Sequence, residues 1–297
     1  MRREHGGLVS LIAAAALQVM ACSEPEAAPP EPLPPGDGLP AAVEAMIYGS
    51  STPCRDDDGC SSGICTYGSC IGVLLADQRW MHTKAAGKLR AAVDGREELR
   101  PRVVAQLERV ARSAEADDAY RSRAIRTLEA LGASETLMPL LADPEPRLSE
   151  EAAIALVRAG REEGLQVTLS LARSDHVATS AEALRALGHL PGDAALVELL
   201  ANLTPGLEPA LNRAALDGLR TLNDPRAARP IAAAIDDLPG HLRHRAADAL
   251  RSLTGAQLGT SSEGWAQWLT QSATPVAPEF QKRVRRTHEE EGLPAPY

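Results

Sequence analysis

The sequence predicts an all-α chain: a right-handed α-solenoid of helix pairs, preceded by a small disulfide-rich N-terminal segment. Three observations predict it. Ala and Leu dominate while aromatics are only 3% of the 297 residues, a balance that favours helices over sheets. From about residue 99 to 273, apolar residues recur at helical spacing in a pattern that returns roughly every thirty residues. Ahead of that region, four of the five cysteines fall between residues 54 and 70, as in a disulfide framework.

The first segment reads as an address. A basic start (Arg2, Arg3) precedes a short, mostly apolar stretch from Gly6 to Ala21, and Cys22 follows. That is the layout of a secretory signal peptide. No apolar run in the chain reaches the ~18–20 residues that a membrane-spanning helix needs. Val19-Met20-Ala21-Cys22 resembles the lipobox of bacterial lipoproteins, with Met20 the less usual residue. The resemblance implies cleavage before Cys22 and acylation of that residue, which anchors the chain to a membrane. Ser23 stands where an Asp would resemble an inner-membrane retention signal, so the expected location is the cell envelope, on the outer membrane. Whether the chain faces the periplasm or the surface stays open.

Residues 25–40 carry seven prolines. Such a segment favours extended polyproline II, and at ~3.1 Å per residue it would reach about 50 Å as a semi-rigid stalk. The expected divisions are a signal peptide over 1–21, a lipidated stalk over 22–53 and a cysteine motif over 54–70. The solenoid is expected over 76–273 and a disordered tail over 274–297.

Cys54, Cys60, Cys65 and Cys70 are spaced C-x5-C-x4-C-x4-C with Gly and Ser between them. With Cys22 assigned to lipid, these four make two disulfides of undetermined connectivity. The pattern looks like short cysteine-rich units of bacterial cell-surface proteins. Zinc is the competing use, but paired C-x2-C knuckles are missing and an exported chain meets oxidising conditions. Asp56, Asp57 and Asp58 are contiguous, whereas a calcium loop alternates its ligands, so a solvated turn is expected.

Five twelve-residue windows carry the repeat: 121–132, 149–160, 177–188, 212–223 and 243–254. Their ends are separated by 28, 28, 35 and 31 residues. Positions four, eight and eleven of each are small or aliphatic, as in Ala124/Leu128/Leu131 and Ala246/Leu250/Leu253. That spacing puts them on one helix face. Between windows lies a second apolar stretch, such as Thr136–Leu141 or Ala194–Leu200, bounded by turn signals like Asn223-Asp224-Pro225 and Leu238-Pro239-Gly240. Each unit would bury its core against its neighbours. Leu222-Asn223-Asp224-Pro225-Arg226-Ala227 through Ala249-Leu250 resembles a HEAT repeat of the short, bilin-lyase-like subtype. Leu253-Thr254-Gly255 through Trp265 and Trp268 is similar to the C-terminal cap of bacterial HEAT proteins. Residues 76–112 read as a degenerate N-terminal capping pair, and the two Trp as a hydrophobic plug.

Reactive chemistry is missing from the pattern. No Walker or H-E-x-x-H motif occurs. The seven His are scattered, and His241 with His244 reads as solvated surface. The formal charge of −9 and the single Phe280 argue against a nucleic-acid binder. No cofactor or metal is expected. At window position nine, Arg185, Arg220 and Arg251 would form a basic ridge facing away from the buried side. Arg suits carboxylate and phosphate recognition. The expected function is a non-catalytic, lipid-anchored scaffold, monomeric, that binds a protein or peptide on the concave face. A bilin-lyase-like enzyme or accessory and a structural envelope lipoprotein are the alternatives.

Overall fold

The computed structural model describes residues 39–271 except 67, 68 and 205. The signal segment, Cys22, most of the expected stalk and the tail lie outside the described residues. The described chain is all-α apart from one small sheet. Among the described residues no helix is long and apolar enough to cross a membrane.

The helical body begins earlier than the composition suggests. α1 (Ala41–Tyr48) and β1 (Ser50–Pro53) fall inside the region assigned to the stalk, and Val43 and Ile47 of α1 are buried. Ala41–Tyr48 holds no proline and has an apolar pair at i, i+4. β2 (Cys65–Thr66) and β3 (Ser69–Cys70) complete an antiparallel sheet in the order β1-β3-β2. Disulfides Cys54–Cys65 and Cys60–Cys70 cross this sheet, with Cα–Cα distances of 5.9 and 5.4 Å. The segment is no separate module: Ile64, Val73 and Leu74 share one core with Val43, Ile47, Met81, Ala85 and Leu89.

α2 (Arg79–Val93) and α3 (Arg100–Arg112) occupy the region expected to hold an N-terminal pair, but α2 packs on α1 and α4, and α3 packs on α4. The five windows coincide with α4 (Asp118–Ala130), α5 (Pro146–Arg158), α7 (Val177–Leu187), α9 (Pro209–Leu222) and α11 (Gly240–Thr254). Between them lie α6 (Leu165–Ala172), α8 (Asp193–Ala201) and α10 (Ala228–Ala234). α12 (Ser262–Gln271) ends the described chain. The apolar stretch after α4 is instead a 3-10 helix, Ser134–Ala142, with Pro139 inside it. Proline has no N–H to give an α-helical ladder and its ring crowds the preceding turn, so the segment winds tighter.

Consecutive window helices pack on one another: α4 on α5, α5 on α7, α7 on α9 and α9 on α11. Positions four and eight are buried in all five, from Ala124 and Leu128 to Ala246 and Leu250. Position eleven is less constant. Leu131 and Leu187 are buried, but Ala159 is exposed. α5 joins two cores, giving Ala152, Ala155 and Leu156 to the N-terminal one and Ile154 and Val157 to the C-terminal one.

Two local devices set the packing. At window position one, a polar side chain donates to carbonyls that end the preceding helix. Arg121 Nε reaches Ala111 O at 3.0 Å, and Ser149 Oγ reaches Leu141 O at 2.9 Å. Asn212 Nδ2 reaches Asn202 O at 2.7 Å, and Arg243 Nε reaches Leu238 O at 2.9 Å. In the third window Val177 cannot donate, and Ser180 Oγ bonds Ala172 O in its place. Helix C-termini leave carbonyls unpaired, so each clamp satisfies a group that burial would otherwise penalise. The second device is close approach. A Cβ on Gly218 of α9 would lie 2.7 Å from Leu184 O of α7, and one on Gly188 only 2.5 Å from Gly218 O.

At the C-terminal end Trp265 is fully buried and its Nε1 donates to Gly259 O at 2.8 Å. Trp268 packs edge-on against it with ring centroids 6.5 Å apart, and both join the core as a plug.

Candidate functional site

The surface left by the packed window helices is a ladder of opposite charges rather than a run of one sign. Arg126 of α4 pairs with Glu151 of α5. Arg158 of α5 lies between Glu182 of α7 at 2.7 Å and Glu129 of α4 at 3.4 Å. Asp217 of α9 is shared by Arg185 of α7, at 3.8 Å, and Arg245 of α11. Each rung bridges neighbouring helices; Arg158, the most enclosed of these arginines, is held from two sides, whereas Arg185 at 3.8 Å is held loosely.

Arg158 divides its interaction unequally. Burial pushes the Glu129 carboxyl above the usual carboxylate range, only partly offset by Arg158. Burial acts on Glu182 in the same direction, but the Arg158 hydrogen bond and charge, with Arg79 and Arg126 nearby, hold it below that range. The shorter distance to Glu182 agrees with this split. The Arg158 guanidinium loses hydration on burial, yet Glu129 and Glu182 more than restore its affinity for the proton.

Arg185, Arg220 and Arg251 fall on the successive helices α7, α9 and α11. Arg185 also donates to Ala181 O at 3.2 Å, and Arg251 pairs with Asp248 one turn back. Arg220 is exposed and makes no ion pair among the described residues. The acidic column beside these arginines was in the sequence: window position six reads Glu182, Asp217 and Asp248, each three residues before its Arg. Spacing of i, i+3 makes them neighbours on a helix. The second window breaks the arginine column because Val157 is fully buried between the two cores.

A groove opens where α2 meets this face. It is lined by Arg79, His82, Thr83 and Arg90 of α2, together with Arg126, Glu129, Arg158 and Glu182. His82 is buried at its floor, with Nε2 3.2 Å from Arg123 O and 3.0 Å from Thr127 Oγ1. Desolvation pushes its pKa down, and the Arg126 and Arg123 charges act the same way. A neutral imidazole there ties α2 to α4. Beside the groove Trp80 is 60% exposed, its Nε1 bonded to Gln78 Oε1 at 2.7 Å. Sequence reasoning passed over this α2 wall, since nothing local distinguishes an exposed Trp from a buried one.

The Asp56–Asp58 run forms a short turn. Asp56 Oδ1 accepts from Gly59 N at 3.0 Å, while Asp57 takes Cys65 N at 2.7 Å and pairs with Lys84. The Lys84 hydrogen bond and then the Cys65 N–H hold the Asp57 carboxyl below its ordinary value. Among the described residues, one trio of possible metal ligands clusters within 4.8 Å: Cys54, Cys60 and Cys70. Their sulfurs are in disulfides and offer no thiolate to a metal. His241 and His244 are both exposed. No protein-family model and no curated protein matches the chain.

Proposed function

We propose that the chain is a non-catalytic, lipid-anchored scaffold of HEAT-like helix pairs in a right-handed solenoid, binding a protein or peptide partner along the face of α4, α5, α7, α9 and α11. The observation that carries this reading is the interlocked charge ladder on that face. Side chains already fixed by neighbours lose less freedom on binding than loose ones, and an extended surface suits an extended partner. Arg185, Arg220 and Arg251 are the proposed contacts at its C-terminal half, with Arg220 the one whose charge has no carboxylate to neutralise it among the described residues. Anchoring rests on Cys22 and the segment before it, whose sequence fits an outer-membrane lipoprotein.

The test is crosslinking in intact cells with a tagged chain, comparing wild type, Arg220→Glu and the Arg185→Glu/Arg220→Glu/Arg251→Glu triple variant. One dominant partner, weakened by Arg220→Glu and lost in a folded triple variant, is the expected result. A folded triple variant that captures the same partner as well as wild type would remove the ridge from the interface. For the anchor, Cys22→Ala should release the chain from the membrane fraction, and retention there would contradict lipidation at that residue.

A further inference from the structure

The groove beside α2 differs in charge from the rest of the molecule. The chain carries a formal charge of −9, yet this groove of about 560 Å³ is lined by four arginines and two glutamates. Both glutamates are engaged by Arg158. Arg79 is exposed and makes no ion pair among the described residues. Arg90 is held loosely, 3.6 Å from Asp94 with its side chain 61% exposed, and such pairs are worth under about 1 kcal/mol. Both can turn to an incoming carboxylate.

Their spacing is informative. Arg79 and Arg90 are eleven residues apart on the lining face of α2, about 16 Å along the axis at ~1.5 Å per residue. An extended peptide covers that distance in about five residues. Trp80 stands next to Arg79, and at ~100° per residue it lies within about 20° of Gly87 on the helix surface. A Cβ on Gly87 would meet nothing within 4 Å, so the surface along α2 beside the indole is open. An exposed indole stands next to a guanidinium that makes no ion pair among the described residues, and Trp and Arg are enriched among the residues that carry most of the binding energy at interfaces.

We propose that this groove captures an acidic, extended peptide segment of a partner protein. Two carboxylates four residues apart, which alternation places on one side of an extended chain, pair with the long side chains of Arg79 and Arg90, and an apolar side chain two residues from the first lies on Trp80. The proposal rests on the binding-module reading above and narrows its partner to one chemistry.

The probe is a fluorescein-labelled ten-residue peptide with two glutamates four apart and a leucine two residues from the first, set against the same peptide with lysines. Anisotropy and tryptophan emission are followed on the full chain; Trp265 is buried and Trp268 half-buried against it, so loss of the emission change in Trp80→Ala assigns it to Trp80. The acidic peptide should bind and the lysine peptide should not. Arg79→Glu and Trp80→Ala, both at exposed positions, should each weaken binding about tenfold or more, whereas Arg102→Glu, exposed on α3, should leave it unchanged. Equal binding of the two peptides, no binding at millimolar concentration, or wild-type affinity in both α2 variants would overturn the proposal. Tighter probe binding after Glu289, Glu290 and Glu291 are replaced by Gln would assign the groove to the chain's own tail and overturn the partner reading. If the cellular partner is still captured by the α2 variants but not by Arg220→Glu, the scaffold reading stands while this groove falls.

Discussion

Two glycines in helix interiors offer the same substitution with opposite expected signs. Gly87→Ala on α2 adds a methyl group where nothing lies within 4 Å. Alanine is about 1 kcal/mol better than glycine inside a helix, so the variant should be more stable by about that amount. Gly218→Ala on α9 gains the same propensity but sets its Cβ 2.6 Å from Leu199 Cδ2 and 2.7 Å from Leu184 O. The leucine methyl can turn away. The carbonyl belongs to the α7 backbone and cannot move without parting the two helices. Overpacking of a tight core costs about 1–3 kcal/mol, which exceeds the propensity gain over most of that range. The expected net loss is about 1 kcal/mol. For a body of this size each kcal/mol moves Tm by roughly 2–4 °C, so the two variants should straddle wild type and differ by about 4–8 °C in thermal melts followed by far-UV circular dichroism. A Gly218→Ala chain as stable as Gly87→Ala would mean that α7 and α9 do not approach through glycine.

Other consequences can be measured in the same way. Asn212→Ala should cost about 1–2 kcal/mol by leaving Asn202 O and Thr204 O without their donor; Asn212→Asp, which cannot donate, should be no better, and a neutral result would show that water replaces the clamp. The folded-state pKa of His82 lies below its ordinary 6.5, so the unfolded chain binds the proton more readily. Stability from this residue should therefore be complete above pH ~6.5 and fall as pH drops from there towards the folded pKa. His82→Gln should flatten that slope in urea titrations, and an unchanged slope would place its origin elsewhere. Peptide mapping without reductant should join Cys54 to Cys65 and Cys60 to Cys70. Reduction should cost about 2–3 kcal/mol per bridge by the loop-closure argument and should first loosen the amides of α1 in hydrogen exchange. Either alternative pairing would contradict the arrangement of the sheet.

Much of the helical layout could be read from the chain because it is carried by local period. Apolar positions four and eight marked the buried face of all five window helices, and Asn223, with φ 53°, ends α9 at the turn signal it belongs to. The rest depended on distant contacts. The proline-rich composition hid α1, whose Val43 and Ile47 matter only because the cysteine segment folds back over them. Position nine alone shows an arginine column, but the ion pairs of Arg185 and Arg251 depend on carboxylates at position six, a second column that the same period carries. Trp80 and Arg79 could not be recognised as a wall, because the groove exists only once α2 packs near α4, α5 and α7.

The position-one clamp has a consequence for how such a chain can change over generations. Its donor and acceptor belong to the same helix pair, so a duplicated or deleted pair takes both halves of the bond with it. Length can then vary in the turn between them without orphaning a partner. The interval that stretches to 35 residues includes a longer turn after α8, and there Asn212 holds two carbonyls, Asn202 O and Thr204 O, across the added chain. An architecture bonded in this way tolerates copying errors at the turns and concentrates its constraint on a single polar residue per unit.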